Sequence, residues 1–213
     1  LEQYVLQAQA DNSYQPYKEE PLPTTLIEHA PKAGTIVSEQ PYGRFGVTKI
    51  VLSNGIEVYV KPTNFAADQI TMRFWGEGGL SLCPETDAPN FSFLPNAIVD
   101  GGVGAFSADR LDKMLAGKQV RVLPFVGQET QGISAQSNSK DLATMFQLAY
   151  LYFTAPRTDE AAFASNIDRR RAMLRNRNAN PQVEYNDSLS LIAYGPNERT
   201  APMTLERLNK VNY

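Results

Sequence analysis

The stretch VTKIVLSNGIEVYVKP, residues 47–62, is the part of the sequence from which the fold can first be predicted. In its second half apolar and polar side chains alternate, which is the period of a strand with one buried face. Asn54 and Gly55 suit the positive φ angles of a type I′ turn between two strands. The stretch therefore predicts a β-hairpin whose arms are residues 47–52 and 56–61.

The elements after the hairpin mix strands and helices. The clearest pattern lies in residues 140–153, which predict a helix capped by Asn138, with apolar residues recurring every three or four positions. Its expected core-facing residues are Leu142, Met145, Phe146, Ala149, Tyr152 and Phe153. The other expected elements are a strand at 69–75, helices at 90–100 and 107–115, strands at 119–126 and 130–136, a helix capped by Thr158, and helices at 181–193 and 203–211. This order predicts an α+β fold in which a mostly antiparallel sheet packs against helices.

The first 45 residues differ from the rest of the chain. Prolines recur there, and each one removes a backbone hydrogen-bond donor and favours extended backbone before it. We therefore interpret residues 1–45 as an extended linker, in which residues 1–10 are the tail of a preceding helix. Residues 46–213 are expected to form one folded domain.

The composition excludes several classes of protein. The chain has 213 residues, of which 42% are hydrophobic and 20% charged, as in a soluble protein with a proper core. A single cysteine excludes an internal disulfide framework, and a single histidine excludes a metal site with two imidazole ligands from this chain. The net charge of −3 gives no general attraction to nucleic acid, and no apolar run approaches the roughly 20 residues of a membrane span.

The short motifs that suggest chemistry have simpler structural explanations. His29 lies among prolines without converging partners, and the domain has no histidine that would activate Cys83. The segment 101–104, Gly-Gly-Val-Gly, lacks the spacing and the lysine of phosphate-binding loops, so we interpret it as a turn between helices. A basic run lies toward a helix C-terminus, where the helix dipole favours cations, and consists of Arg169, Arg170, Arg171, Arg175 and Arg177.

An ordered set of segments resembles the M16 family, the pitrilysin/insulinase-type zinc peptidases. The resemblance covers residues 47–213 and begins with the hairpin sequence LSNGIEVYVKPTNF at residues 52–65. It continues through Asp68-Gln69-Ile70, Gly78-Gly79-Leu80-Ser81, the segment 101–107, the helix end at 111–117, Ser139-Lys140-Asp141-Leu142, Asn176-Arg177-Asn178 and Asn180-Pro181. The order of these segments agrees with the family throughout.

The resemblance implies a module that does not itself catalyse hydrolysis. Proteins of this family arrange two halves around an enclosed chamber, and the first half carries an inverted zinc motif, His-x-x-Glu-His, on a helix. The corresponding segment here, residues 90–100, contains neither histidine nor glutamate. Catalytic zinc needs three protein ligands and its water needs a general base. We therefore assign no catalytic or metal-binding residue to this chain, leave substrate-binding residues unassigned, and expect zinc in the catalytic half of the parent protein.

Three functions follow as hypotheses. The first is an inactive domain of a zinc metalloendopeptidase, a hydrolase, where it forms part of the peptide-enclosing chamber. The second is a structural or assembly subunit of a processing-peptidase-like protein without proteolysis. The third is an independent module that binds extended peptides on a sheet edge. The expected partners are a catalytic M16 half and peptide substrates, with neither nucleic acid nor a membrane span.

The resemblance also bears on association and location. In the family a module continues with a strand and a helix after a stretch like residues 205–213, which implies a C-terminally incomplete module here. An unpaired sheet edge and uncovered helices would then promote self-association. Similar bacterial proteins are often exported, so we expect a periplasmic or exported protein, with a cytoplasmic location left open.

Overall fold

The computed structural model describes residues 4, 5, 7 and 21–213. The strands in this part of the chain are β1 (Ile36–Tyr42), β2 (Val47–Leu52), β3 (Glu57–Val60), β4 (Ile70–Glu77), β5 (Val120–Val126) and β6 (Thr130–Ser137). The α-helices are α1 (Ala88–Gly101), α2 (Ala108–Leu115), α3 (Leu142–Thr154), α4 (Glu160–Arg175), α5 (Pro181–Tyr194) and α6 (Leu205–Leu208). The strands form antiparallel sheets, so the predicted α+β class is confirmed.

The predicted hairpin is present, but its turn differs from the prediction. Strands β1, β2 and β3 form a three-stranded sheet with β2 in the centre. Gly55 has φ 84°, whereas Asn54 lacks the positive φ that a type I′ turn needs at both central positions. The Gly55 amide donates to the Leu52 carbonyl at 2.9 Å. A single left-handed glycine is typical of a type I turn followed by a bulge, so the I′ prediction is wrong.

A second sheet carries the main hydrophobic core. Its strand order is β4-β6-β5, and the register places Met72, Ala135 and Val122 side by side across the three strands. Helix α3 packs against the same sheet. The buried core residues are Leu26, Val103, Phe106, Leu111, Val122, Ile133, Ala135, Met145, Leu148, Ala149, Leu151 and Tyr152. By contrast, no residue described in strands β1 to β3 is fully buried. The strands therefore form two separate sheets, and the helices pack against the β4-β6-β5 sheet.

Helix α3 buries a face that differs in part from the predicted stripe. Met145, Ala149 and Tyr152 are buried as expected, but Phe146 and Phe153 are 49% and 58% exposed. Their expected places in the core are taken by Leu148 and Leu151. The reason is that α3 is apolar on more than one side, and only contact with the sheet selects the side that becomes buried. Phe153 still meets Phe74 edge-on, with ring centroids 5.8 Å apart.

The helix caps are partly those predicted. Ser107 caps α2, since its hydroxyl accepts a hydrogen bond from the Arg110 amide. The N-cap of α3 is Asp141, not Asn138, whose side chain instead accepts from the Asp141 amide at 2.7 Å. Asp159 rather than Thr158 caps α4. Helix α6 is also shorter than the predicted 203–211.

The N-terminal segment is attached to the folded part more closely than its proline content indicates. Residues 36–42 form strand β1 and pair with β2, although the proline pattern predicts a linker there. Leu26 is buried in the main core, and its amide donates to Gln147 Oε1 at 3.0 Å. Of the helix tail expected at residues 1–10, only residues 4, 5 and 7 are described, and these are helical. The division at residue 45 stays a prediction.

Candidate functional site beside helix α1

Helix α1 is the element in which the family resemblance expects the zinc motif. It begins with Pro89 in its first turn, where a missing backbone donor costs nothing, and it continues through Pro95 to Gly101. Pro95 therefore neither delays the start of the helix nor ends it. Ser92 and Asn96 lie one turn apart on the same side of α1. Both residues line the same cavity.

This cavity has a volume of about 270 Å³ and is lined from elements distant in sequence. We call it the arginine cavity, after Arg170, Arg199 and Arg207 in its wall. The other lining residues are Leu80, Ser92, Phe93, Asn96, Gln128, Thr200, Ala201 and Met203. The wall thus combines three guanidinium groups with neutral polar groups and a few apolar side chains.

Helix α4 brings Arg170 to the cavity because it packs against α1. The rings of Phe93 in α1 and Phe163 in α4 meet edge-on, with centroids 5.5 Å apart. Arg170 then lies over α1, where its Nη2 donates to Asn96 Oδ1 at 2.5 Å. A neighbouring contact joins the same helices, since the Asn166 amide donates to Asp100 Oδ2. Asn96 is thus engaged by a guanidinium group.

Arg199, in the segment before α6, and Arg207, within α6, supply the other two guanidinium groups. Arg199 donates from Nε and Nη2 to the Cys83 carbonyl, at 3.1 and 3.0 Å. Arg207 is 5% exposed and donates to the carbonyls of Ala201 and Glu198 and to Ser92 Oγ, the last at 3.2 Å. These contacts hold both side chains in fixed positions against α1 and the loop after β4.

One carboxylate beside the cavity is shared between two cations. Glu198 Oε1 accepts from Lys210 Nζ at 2.5 Å, and Oε2 lies 3.5 Å from Arg207 Nε. The hydrogen bond from Lys210 is the main reason that the pKa of Glu198 lies below its ordinary value. Arg207 has a lowered pKa because burial penalises its charged form. The three lining arginines therefore carry more positive charge than this one acid neutralises.

The residues beside α1 do not fit a zinc ion. Helix α1 presents serine, phenylalanine and asparagine to the cavity, and three arginines line the same space. Zinc takes thiolate, imidazole or carboxylate ligands, and nearby guanidinium groups repel a divalent cation. Among the described residues there is also no group of three or more His, Cys, Asp or Glu side chains that could hold a metal ion.

The residues singled out in the sequence do not converge on a site. His29 is exposed, and Cys83 is buried with its thiol directed at the Leu80 carbonyl. The 101–104 segment is a turn between α1 and α2, as predicted, and the amides of Gly102, Val103 and Gly104 already donate to backbone carbonyls. Of the basic run, Arg170 alone lines the arginine cavity.

Sequence reasoning missed Arg199 and Arg207. They bond to Cys83 and Ser92, residues more than a hundred positions away in the chain. No local pattern signals such contacts. Arg207 is 5% exposed, and a buried arginine needs partners, but nothing in the sequence marks this burial.

Comparison with known proteins agrees with the resemblance. The chain is 26% identical over 200 residues to a curated protein of Arabidopsis thaliana described as zinc protease PQQL-like. That alignment covers 92% of this chain and 18% of the relative. No protein-family model matches the chain.

Two solved structures share the fold. The periplasmic protease PqqL from Escherichia coli superposes with a TM-score of 0.69 and 18% identity, over 98% of this chain and 23% of that chain. The ferredoxin protease FusC, solved as a mutant in complex with Arabidopsis ferredoxin, superposes with a TM-score of 0.63 and 14% identity over the same shares. The chain thus spans about a fifth of the length of these proteins.

These findings confirm the resemblance to M16-type proteases and the fold predicted from it. The chain corresponds to one segment of much longer proteases, of which the Arabidopsis relative is described as a zinc protease. None of the described helices is long and apolar enough to cross a bilayer.

Proposed function

We propose that this chain is a non-catalytic module of an M16-type zinc metalloendopeptidase and forms part of the wall that encloses the peptide substrate. The observation that carries the proposal is the hydrogen bond from Arg170 to Asn96 on helix α1. A guanidinium group there binds the helix in which the resemblance expects the zinc motif, and that helix contains neither histidine nor glutamate. The chemistry of peptide hydrolysis would then belong to another half of the parent protein.

The partial coverage of the relatives supports this division of roles. The chain matches about a fifth of each of these proteases, so most of such a protein lies outside it. The partner of this module is therefore a catalytic M16 half that holds zinc, in the same parent chain or in a second subunit. Its ligands are peptides, and the likeness to a periplasmic protease supports an exported location.

Hydrolysis assays test this proposal. The 213-residue chain, supplied with zinc, is incubated with a mixed pool of unstructured peptides, and cleavage is followed by mass spectrometry. We expect no cleavage by this chain and zinc-dependent cleavage by the full-length parent protein, measured in parallel. Cleavage by the chain alone that a chelator abolishes would contradict the assignment.

The parent protein also separates the proposal from its main alternative. If the full-length protein carries a His-x-x-Glu-His helix and hydrolyses peptides, the chamber role stands. If it cleaves no peptide with zinc bound, the assembly role replaces it, because the chain would then belong to a protein without proteolysis.

A further inference from the structure

The arginine cavity has an excess of positive charge that its own contacts do not neutralise. Arg170 is bonded to a neutral amide and Arg199 to a backbone carbonyl. Arg207 lies near Glu198, but that carboxylate also holds Lys210. Guanidinium groups fixed around a small cavity attract an anion, because the surrounding protein screens their charge less than water does.

Arg207 also keeps one buried donor without a hydrogen bond. Its side chain is 5% exposed, and its Nε donates to no acceptor within the described part of the chain, although Glu198 Oε2 lies 3.5 Å away as an ion pair. A buried donor without an acceptor costs free energy, and most such groups find a partner. Because this Nε atom is itself buried, Arg207 acts on an anion in the cavity through its poorly screened charge.

The rest of the wall favours an organic anion over an inorganic one. Leu80, Phe93 and Met203 contribute apolar surface to the same cavity. The hydroxyls of Ser92 and Thr200 already donate to backbone carbonyls, whereas Gln128 Nε2 donates one of its two hydrogens to the Arg199 carbonyl and keeps the other for a ligand. The volume of about 270 Å³ lies just below the usual range for sites that hold drug-sized ligands, which suits a single amino-acid residue.

From these observations we propose that the arginine cavity binds a carboxylate of a peptide, either its C-terminal group or an acidic side chain. Guanidinium groups bind carboxylates through paired, charge-assisted hydrogen bonds, and the apolar wall contacts the adjoining side chain. The assignment of this carboxylate to a peptide rests on the proposed function. The binding of a carboxylate rests on the cavity alone.

Binding is measured by titrating the 213-residue chain with acetyl-Ala-Ala-Ala carboxylic acid, its C-terminal amide, and the amide of acetyl-Ala-Glu-Ala. The readout is the ¹⁵N–¹H resonance of each arginine Nε. We expect the Arg170, Arg199 and Arg207 resonances to shift with the free acid, with the glutamate peptide, or with both, and to stay unchanged with the uncharged amide. The peptide that shifts them identifies the source of the carboxylate.

Two neighbouring arginines of α4 provide a matched pair of variants. Arg170→Gln removes a cavity guanidinium and should weaken binding about tenfold, as expected for a charge-assisted hydrogen bond. Arg171→Gln makes the same charge change outside the cavity, where Arg171 pairs with Asp168, and should leave affinity within about twofold. If Arg170→Gln does not fold, the resonance shifts of the unmodified chain decide the question without it.

The inference is overturned if neither acidic peptide shifts the three resonances at millimolar concentration, or if the folded Arg170→Gln variant binds as tightly as the unmodified chain. It is also overturned if inorganic phosphate binds more tightly than both acidic peptides. A chain that binds carboxylates while its parent cleaves no peptide would keep this inference and refute the proposed function.

Discussion

Met145 and Phe146 are consecutive residues of helix α3, but Met145 is fully buried whereas Phe146 is 49% exposed. Met145 points into the core between α3 and the second sheet. Met145→Ala should therefore lower the free energy of unfolding by about 2 to 5 kcal/mol, because it leaves a cavity that the surroundings fill only partly. Phe146→Ala should lower it by about 1 kcal/mol or less, since that ring stays partly in water.

Urea denaturation followed by circular dichroism measures both changes. Each variant is the control for the other, because both place an alanine of equal helix propensity in the same turn of α3. Equal losses at the two positions would show that α3 does not pack as described.

The same pair shows what periodicity predicts and where it stops. The spacing of apolar residues predicts correctly that residues 140–153 form a helix and that Met145, Ala149 and Tyr152 are buried. It does not separate Phe146 from Leu148, because both are apolar and the choice depends on where the sheet lies. Periodicity is a local property, whereas the position of the sheet is set by contacts with β5 and β6.

The arginine cavity could not be predicted from the sequence, for a related reason. Arg170 belongs to a basic run whose members look alike, and only the packing of α4 on α1 turns it toward Asn96. Arg199 and Arg207 come from a segment with no chemical motif. By contrast, the lack of histidine and glutamate in residues 90–100 could be read directly, because it depends on composition alone.

The glycines after α1 and α2 differ in the space around them. Gly102 and Gly117 have φ 82° and 76°, so alanine is strained at either position, by about 1 to 2 kcal/mol. A Cβ at Gly102 would also lie 2.2 Å from the Phe106 carbonyl oxygen, whereas nothing lies within 4 Å of a Cβ at Gly117. Gly102→Ala should therefore lower the midpoint of thermal unfolding clearly more than Gly117→Ala. Equal midpoints would argue against the tight turn between α1 and α2.

The ion pair between Arg177 and Asp187 should make stability depend on pH. Arg177 donates two hydrogen bonds to the carboxylate, and these lower the pKa of Asp187 below its ordinary value of 3.8. A lowered pKa in the folded state means that the contribution is complete above the unfolded pKa and is lost as pH falls through the folded value. Asp187→Asn should therefore cost about 1 kcal/mol at pH 7, and the cost should shrink below about pH 4.

Urea midpoints of the two proteins at a series of pH values test this. Asp168→Asn is the control, because Asp168 also pairs with an arginine but its side chain is 75% exposed. It should change the midpoint little at any pH. A cost for Asp187→Asn that is the same at about pH 7 and about pH 3.5 would contradict the role of the ion pair.

Helix α5 exposes more apolar surface than a water-facing helix needs. Its exposed apolar residues are Tyr185, Leu189, Leu191, Ile192 and Tyr194, and Ile192 is 82% exposed. Exposed patches of this kind promote association, because contact with another copy removes the surface from water. We therefore expect the 213-residue chain to self-associate as its concentration rises, with a sedimentation coefficient that increases accordingly.

Two glutamate substitutions on α5 locate the surface responsible. Ile192→Glu places a charge within the patch and should shift the chain toward monomer, because burying an unpaired carboxylate is costly. Asn186→Glu adds a charge on the same helix at an exposed polar position, on the side away from Leu191 and Ile192, and should leave association nearly unchanged. Both variants are compared with the unmodified chain by sedimentation velocity at equal concentrations. A chain that stays monomeric at high concentration would show that this apolar surface does not drive association, and equal effects of the two variants would assign it to net charge rather than to contact through α5.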